Sequence, residues 1–420
     1  MKILRKFQEM QRPLFEKGGK LERFYPLFEA GDTFLFTPET VTKTTAHVRD
    51  GLDLKRMMSI VVIALIPCIF MAMFNTGYQA NIAIMHGAEP LSNWQTMVYH
   101  NWLGLAFSTN LFACTLFGAL YLLPIYIVCV ASGGIMEVIF AMVRKHDVNE
   151  GFFVTSALIP LTLPATQPLW QVAVGTIFGV VIGKEIYGGT GMNWLNPALT
   201  TRAFLFFAYP AQISGDKVWI AANTAASDGV SGATWLSRAA HGLSVSPDAP
   251  ASGLAAITQG GAWHRWWEAF IGIIPGSMGE TSTLACLIGA AILIITQVGS
   301  WRTMLGCVVG SFCMSTLLNL VGPASNPFYD VPFYWHWVLG SFAFAVVFMA
   351  TDPVSSAFTD WGKLIYGFMI GVMGIIIRVI NPAYPEGWML AILFMNIFAP
   401  LIDHFIVQAN IKRRMARYAA

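Results

Sequence analysis

Two short strings recur in this chain at one offset. Thr166-Gln167-Pro168 is matched by Thr351-Asp352-Pro353, and Asn196-Pro197-Ala198 by Asn381-Pro382-Ala383; both pairs lie 185 residues apart, and the strings are 30 residues apart within each copy. A matched pair at fixed spacing rarely arises by chance. Five apolar segments separate the copies, an odd number, so in a membrane the copies face opposite sides. This is the pattern of an inverted repeat, in which the transport path follows the repeat interface and helices are interrupted there. Asn-Pro also signals a helix start, with Asn as cap and Pro in the first turn. Spans are therefore expected at 198–210 and 383–405.

Composition supports the membrane reading. The chain is 55% apolar and 11% charged, where a soluble domain carries roughly 25% charged residues. A spanning helix needs roughly 17 to 25 mostly apolar residues. Candidates are 57–75, 111–131, 151–165, 170–187, 198–210, 282–297, 303–321, 333–350, 363–380 and 388–405. The expected fold is an all-α integral membrane protein with about ten transmembrane helices in two inverted five-helix repeats, 57–210 and 282–405. A segment 1–56, a polar loop 211–281 and a basic tail 406–420 complete it. The run 111–143 is too long for one straight span, and Pro124 or Gly133-Gly134 are expected to kink or break it. Residues 1–56 carry eleven Lys/Arg and eight Asp/Glu and lack the apolar core of a signal peptide. Their patches Phe24-Tyr25-Pro26-Leu27-Phe28 and Phe34-Leu35-Phe36 suggest an amphipathic piece on the membrane face.

Orientation follows the Lys/Arg bias. Lys55-Arg56, Arg144-Lys145-His146, Arg302 and the tail residues Lys412, Arg413, Arg414 and Arg417 all fall on one side, the cytoplasmic one, if both termini are inside. Loop 211–281, with three Lys/Arg and five Asp/Glu, then lies outside. The six cysteines contain no CxxC pair and read as small buried hydrophobes, so a cluster or metal site is not expected. No GxGxxG sits between a strand and a helix, so a dinucleotide site is not expected either.

Charge within a span costs at least about 2.5 kcal/mol on insertion scales. Glu137, beside the glycine pair, and Asp352, in the repeated motif, are the strongest candidates for handling an ion, because a hard cation takes carboxylate and freed carbonyl oxygens. Asp403 could face a path or reach the interface, whereas Arg378, Lys184 and Glu185 lie near span ends, where they can snorkel or pair.

The outer loop contains Asp228-Gly-Val-Ser231-Gly232-Ala233-Thr234. A threonine hydroxyl can carry a nucleotide through a phosphodiester, and small neighbours would let an attaching enzyme reach it. Alone, the string could equally be a Gly-rich turn. Asp-x-x-Ser-Gly-Ala-Thr resembles the flavinylation signature of membrane subunits of the sodium-translocating NADH:quinone oxidoreductase and of the related Rnf electron-transport complex. Further stretches resemble the B subunits of the former more closely. They include Asp53-Leu54-Lys55-Arg56, Met142-Val143-Arg144-Lys145-His146, Asn149-Glu150-Gly151-Phe152-Phe153, Arg202-Ala203-Phe204-Leu205-Phe206-Phe207 and Asn381-Pro382-Ala383-Tyr384-Pro385-Glu386-Gly387. The likeness runs essentially end to end, except over 236–262.

The resemblance implies FMN on Thr234, attached by a periplasmic flavin transferase. It also implies a second, non-covalent riboflavin, expected near Asn193, Asn196 and Asp352, and ubiquinone reduced near the inner face. Gly133 and Gly134 match the glycine pair of the quinone region, and Phe152 and Phe153 its aromatic pair. Glu137 and Asp403 match acidic positions linked to sodium. The implied setting is a six-subunit complex in the bacterial inner membrane, with NADH oxidised on another subunit and no nucleic acid bound. The rival readings are an Rnf-type subunit and a secondary transporter or channel without redox chemistry.

Overall fold

Each freed carbonyl within a bilayer must find a partner inside the protein, and this constraint explains where the chain stays helical and where it breaks. The computed structural model describes residues 10–15, 19, 21, 22, 25, 28, 54–144, 151–216, 218–224, 232–244, 251–323, 325–381 and 384–419. Asp228 and Ser231, the Pro382-Ala383 of the second repeat, Lys145-His146 and most of the aromatic N-terminal patches lie outside these residues. The principal helices are α1 (Leu54–Met85), α2 (Leu111–Arg144), α3 (Gly151–Leu161), α4 (Leu169–Gly183), α5 (Pro197–Ala208), α6 (Trp235–His241) and α7 (Ala262–Ile271). They continue with α8 (Thr283–Ile295), α9 (Trp301–Val321), α10 (Phe333–Val338), α11 (Asp360–Ile380) and α12 (Trp388–Ala419). Among the described residues, six helices are long and apolar enough to cross a membrane: α1, α2, α4 with its 3-10 extension to Tyr187, α9, α11 and α12. The chain is a mostly helical, multi-pass membrane protein.

Several expected boundaries shift. α2 is one helix through Pro124 and Gly133-Gly134, so no carbonyls are freed beside Glu137. An unbroken helix satisfies its own backbone, and the glycines serve packing instead. A Cβ on Gly133 would lie 2.5 Å from the Phe152 ring. α12 continues well beyond residue 405, to Ala419. Expected span 151–165 is helical only to Leu161, and span 333–350 is interrupted, passing from α10 through Leu339–Ser341 into Phe342–Phe344 and a π-helical Ala345–Met349.

Both Thr-x-Pro strings lie in non-helical backbone. At the first, the carbonyls of Leu161 and Leu163 accept from Gly279 N (2.8 Å) and Met278 N (3.1 Å). At the second, the Asp352 carboxylate accepts from Val354 N and Ser355 Oγ at 3.1 and 2.7 Å. Asn196 caps α5 as expected, Oδ1 accepting from Ala198 N and Leu199 N. Asn381 does not open the next helix. It closes α11, its N–H donating to Ile377 O, and α12 starts only at Trp388.

The expected outer loops meet one another. Glu89–Pro90 pairs antiparallel with Ala222–Asn223, and Thr166 Oγ1 donates to Val218 O at 3.0 Å. Asp330 accepts from Gly253 N and Leu254 N at 3.1 and 3.0 Å. At the opposite end, Arg144 pairs with Glu185, and Arg302 with Asp360.

Candidate functional site

Three polar sites are buried in this apolar frame. The first surrounds Thr234. The backbone at Gly232 passes so close to the Asp216 carbonyl that a Cβ would collide with its oxygen, which gives the glycine of the Ser-Gly-Ala-Thr string a steric reason. Thr234 follows as the N-cap of α6, with Oγ1 accepting from Ser237 N at 3.1 Å. It borders a cleft of about 370 Å3 lined also by Trp219, Trp235, His241, Arg202, Glu280 and Tyr384. Small-molecule sites span roughly 300–1,000 Å3 and combine aromatic walls with a few polar groups. The cleft and its half-exposed hydroxyl fit a flavin mononucleotide held through its phosphate. If Thr234 carries FMN as the resemblance implies, Gly232→Ala should displace the segment before α6 and markedly reduce flavin attachment, read as fluorescence per denatured chain.

The floor of this cleft is a buried charge group. Arg202, in the middle of α5, donates from Nη1 to Glu280 Oε1 at 2.6 Å and from Nη2 to Glu386 Oε2. Among the described residues, Glu280 Oε2 and the Tyr384 hydroxyl, both on buried residues, find no hydrogen-bond partner. Burial, opposed by Arg202, pushes the Glu280 carboxyl up to about 7. Its infrared carboxyl band should titrate with a midpoint near pH 7 and be absent from Glu280→Gln. The unfolded carboxyl ionises at its ordinary, lower value. Any stability this group contributes is therefore full below that value and is lost as pH rises through 7. Beneath the same cleft Arg378 donates to His336 O (3.0 Å) and Glu386 O (3.2 Å), with its guanidinium over Trp388.

The second site lies toward the opposite end. Asn196 Nδ2 reaches Asp352 Oδ2 at 3.5 Å, and both line one cavity with Asn193, Lys184 and Thr155. The structure thus brings together three residues chosen from the sequence as polar groups at repeat breaks. The cavity measures about 70 Å3, well below the roughly 300 Å3 of a small-molecule pocket. A three-ring flavin does not fit it with these side chains in place.

The third site is a charge cluster. Lys184 Nζ pairs with Glu137 Oε1 and lies 3.8 Å from Glu185, and Arg144 lies 3.7 Å from Glu185. Lys184 and Glu185 are buried, and Arg378 is fully enclosed, so none of the three snorkels. Each instead turns inward to a partner, because leaving a charge unpaired in a low-dielectric interior costs more than pairing it. One helix away, Gly133 and Gly134 pack on the Phe152 ring, while Phe153 is 41% exposed. Asp403 stands apart. It accepts from Phe358 N at 2.6 Å, Thr359 N at 3.0 Å and the Thr359 hydroxyl, and so ties the loop before α11 to α12.

Comparison with known proteins assigns the family. Residues 41–412 match the model of the NQR2, RnfD, RnfE family. The chain belongs to this family. Among curated members, the B subunit of the Na(+)-translocating NADH-quinone reductase of Chromohalobacter salexigens is 58% identical over 97% of this chain and 95% of its own. The B subunits from Azotobacter vinelandii (99% of each chain) and Pseudomonas aeruginosa (96% of each) are 54% and 55% identical. Membership does not single out the Arg202–Glu280–Glu386 group, which the sequence reading left out. The signal was available, since Arg202 sits as deep within an apolar span as Glu137 does.

Proposed function

We propose that this chain is the B subunit of a sodium-translocating NADH:quinone reductase, a multi-pass membrane component through which electrons from NADH reach ubiquinone while sodium is exported. The carrying observation is identity of 54–58% over nearly the whole length to relatives that bear that name. It also favours the quinone enzyme over an Rnf-type subunit, and over a transporter without redox chemistry.

The finer layout is part of the proposal: ten membrane passes in two inverted halves, in an inner membrane, with both termini cytoplasmic. The packing supports it. α2 packs on α4 and α9 on α11; α4 packs on α5 and α11 on α12. The halves meet through α1 with α8 and through α5 with α12, like positions paired with like. Thr234 and the loops that contact one another at its end would then be periplasmic, within reach of a flavin transferase.

In this reading Thr234 holds FMN through its phosphate, and the flavin supplies one- and two-electron transfer there. Arg202, Glu280 and Tyr384 set the charge at the cleft floor, and Trp219 and Trp235 exclude water. α5 links the two polar sites: Asn196 caps it in the inner cavity and Arg202 sits in the outer cleft, roughly 9 Å apart along the axis at helical rise. Asn193, Asn196 and Asp352 remain the polar set we assign to the inner end of the path. A riboflavin there would need the cavity to widen. We place ubiquinone beside Gly134 and Phe153, and the sodium path along Glu137, Lys184 and Glu185, with Asp403, which ties the loop before α11 to α12, as a further acidic group of that path.

The test is NADH-dependent ubiquinone reduction in membranes whose own copy of the subunit is deleted. This chain should restore Na+-stimulated activity, and Glu137→Gln should restore assembly with at least tenfold less Na+ stimulation, the loss of about 1.4 kcal/mol of coupling. Restoration independent of Na+ would remove the sodium assignment, and failure of an assembled complex to reduce quinone would remove the function.

A further inference from the structure

Between Thr234 and α8 lies a helix that nothing above uses. α7 runs from Ala262 to Ile271 as AWHRWWEAFI, and its residues sort into three faces at helical spacing. The first faces the protein. Ala269 is buried, Phe270 packs on the core, and Trp266 Nε1 donates to Tyr334 O at 3.3 Å. The second is polar and closed on itself, with His264 and Arg265 lying 3.3 and 2.9 Å from the Glu268 carboxylate. The third is Trp263, Trp267 and Ile271, at i, i+4 and i+8, exposed by 71, 41 and 38%. The first two faces already anchor the helix and satisfy its charges. Neither gives a reason for two tryptophans and an isoleucine to point outward.

The surroundings indicate the occupant. α7 packs on α8 and α10. α8 turns Leu284, Leu287 and Ile288 outward, and Tyr334 is exposed at the start of α10. The stripe of α7 therefore adjoins the apolar flank of membrane helices. Tryptophan concentrates at the membrane–water boundary, where an apolar ring body and a polar N–H are both accommodated. An amphipathic helix with a charged opposite face lies in that plane.

We propose that α7 is an interfacial helix, with its Trp263–Trp267–Ile271 face seated at the headgroup–acyl boundary of the leaflet on the Thr234 side. The seat bears on the cleft. The Arg265 guanidinium lies 5.4 Å from the Trp235 ring centroid, and Trp235 follows Thr234 directly. A lipid-held α7 thus fixes the height of Thr234 relative to the membrane, whatever Thr234 carries.

Spin labels test this on the assembled complex in phosphatidylcholine–phosphatidylglycerol nanodiscs, in a Cys313→Ser background that removes the exposed thiol. Labels are placed singly through Trp263→Cys, Trp267→Cys and His264→Cys. Labels at 263 and 267 should be relaxed more by oxygen than by a water-soluble nickel chelate, and the ratio should invert at 264. Nickel dominance at all three positions would put the face in water. Protection of 263 and 267 from both reagents would mean that a protein covers it, and equal ratios at 264 and 267 would deny an in-plane helix; each result overturns the proposal.

Discussion

Thr234→Ala is expected to leave the denatured chain without flavin fluorescence and to lower Na+-stimulated quinone reduction to background. The side chain has two roles that must be separated, because its Oγ1 both offers the attachment hydroxyl and caps α6 at Ser237 N. Losing the cap costs about 1 kcal/mol, too little to unfold a protein with this much buried packing. Thr234→Asn separates them fully, since asparagine caps a helix well yet has no hydroxyl to esterify. It should assemble normally and still carry no flavin. Thr234→Ser keeps a hydroxyl and a cap and should retain partial attachment. Flavin that persists in Thr234→Asn would move the attachment elsewhere.

Arg202→Met carries the second large effect, on stability. Arg202 is the shared partner of Glu280 and Glu386 at the cleft floor, and it is itself buried. Removing one member of a buried charge group leaves the others uncompensated, at roughly 3–5 kcal/mol. The purified complex should lose this subunit at a clearly lower temperature than the parent does. Arg202→Lys should rescue little, because an ammonium cannot engage two carboxylates in the fork geometry of a guanidinium. Adding Glu280→Gln and Glu386→Gln to Arg202→Met should recover much of the loss. An unchanged melting temperature in Arg202→Met would show that the group contributes nothing net.

Sequence conveys periodicity and apolar length well, so the long spans were legible, whereas the short helix that Thr234 caps was not, because 211–281 reads as one polar loop. The convergence of Asn196 and Asp352 was also legible, because both sit in repeated motifs that interrupt helices. Direction was not. Span-end position left Arg378, Lys184 and Glu185 free either to snorkel or to pair, and all three turn inward, a choice not legible in the sequence since an azimuth around a helix cannot be read without knowing its neighbours. The glycine pair was ambiguous for a similar reason. Gly133-Gly134 could break α2 or allow close packing, and the Phe152 ring against Gly133 decides for packing. Arg202, Glu280 and Glu386 come from segments 78 and 184 residues apart from Arg202, a distance at which no spacing rule acts.

The central claim, a redox subunit with flavin on Thr234, is tested most directly by the mass of the intact denatured chain isolated from its native membrane. The account predicts a mass raised by one flavin mononucleotide less one water, with fragmentation placing the addition on Thr234. An unmodified mass, or an addition on any other residue, would contradict it.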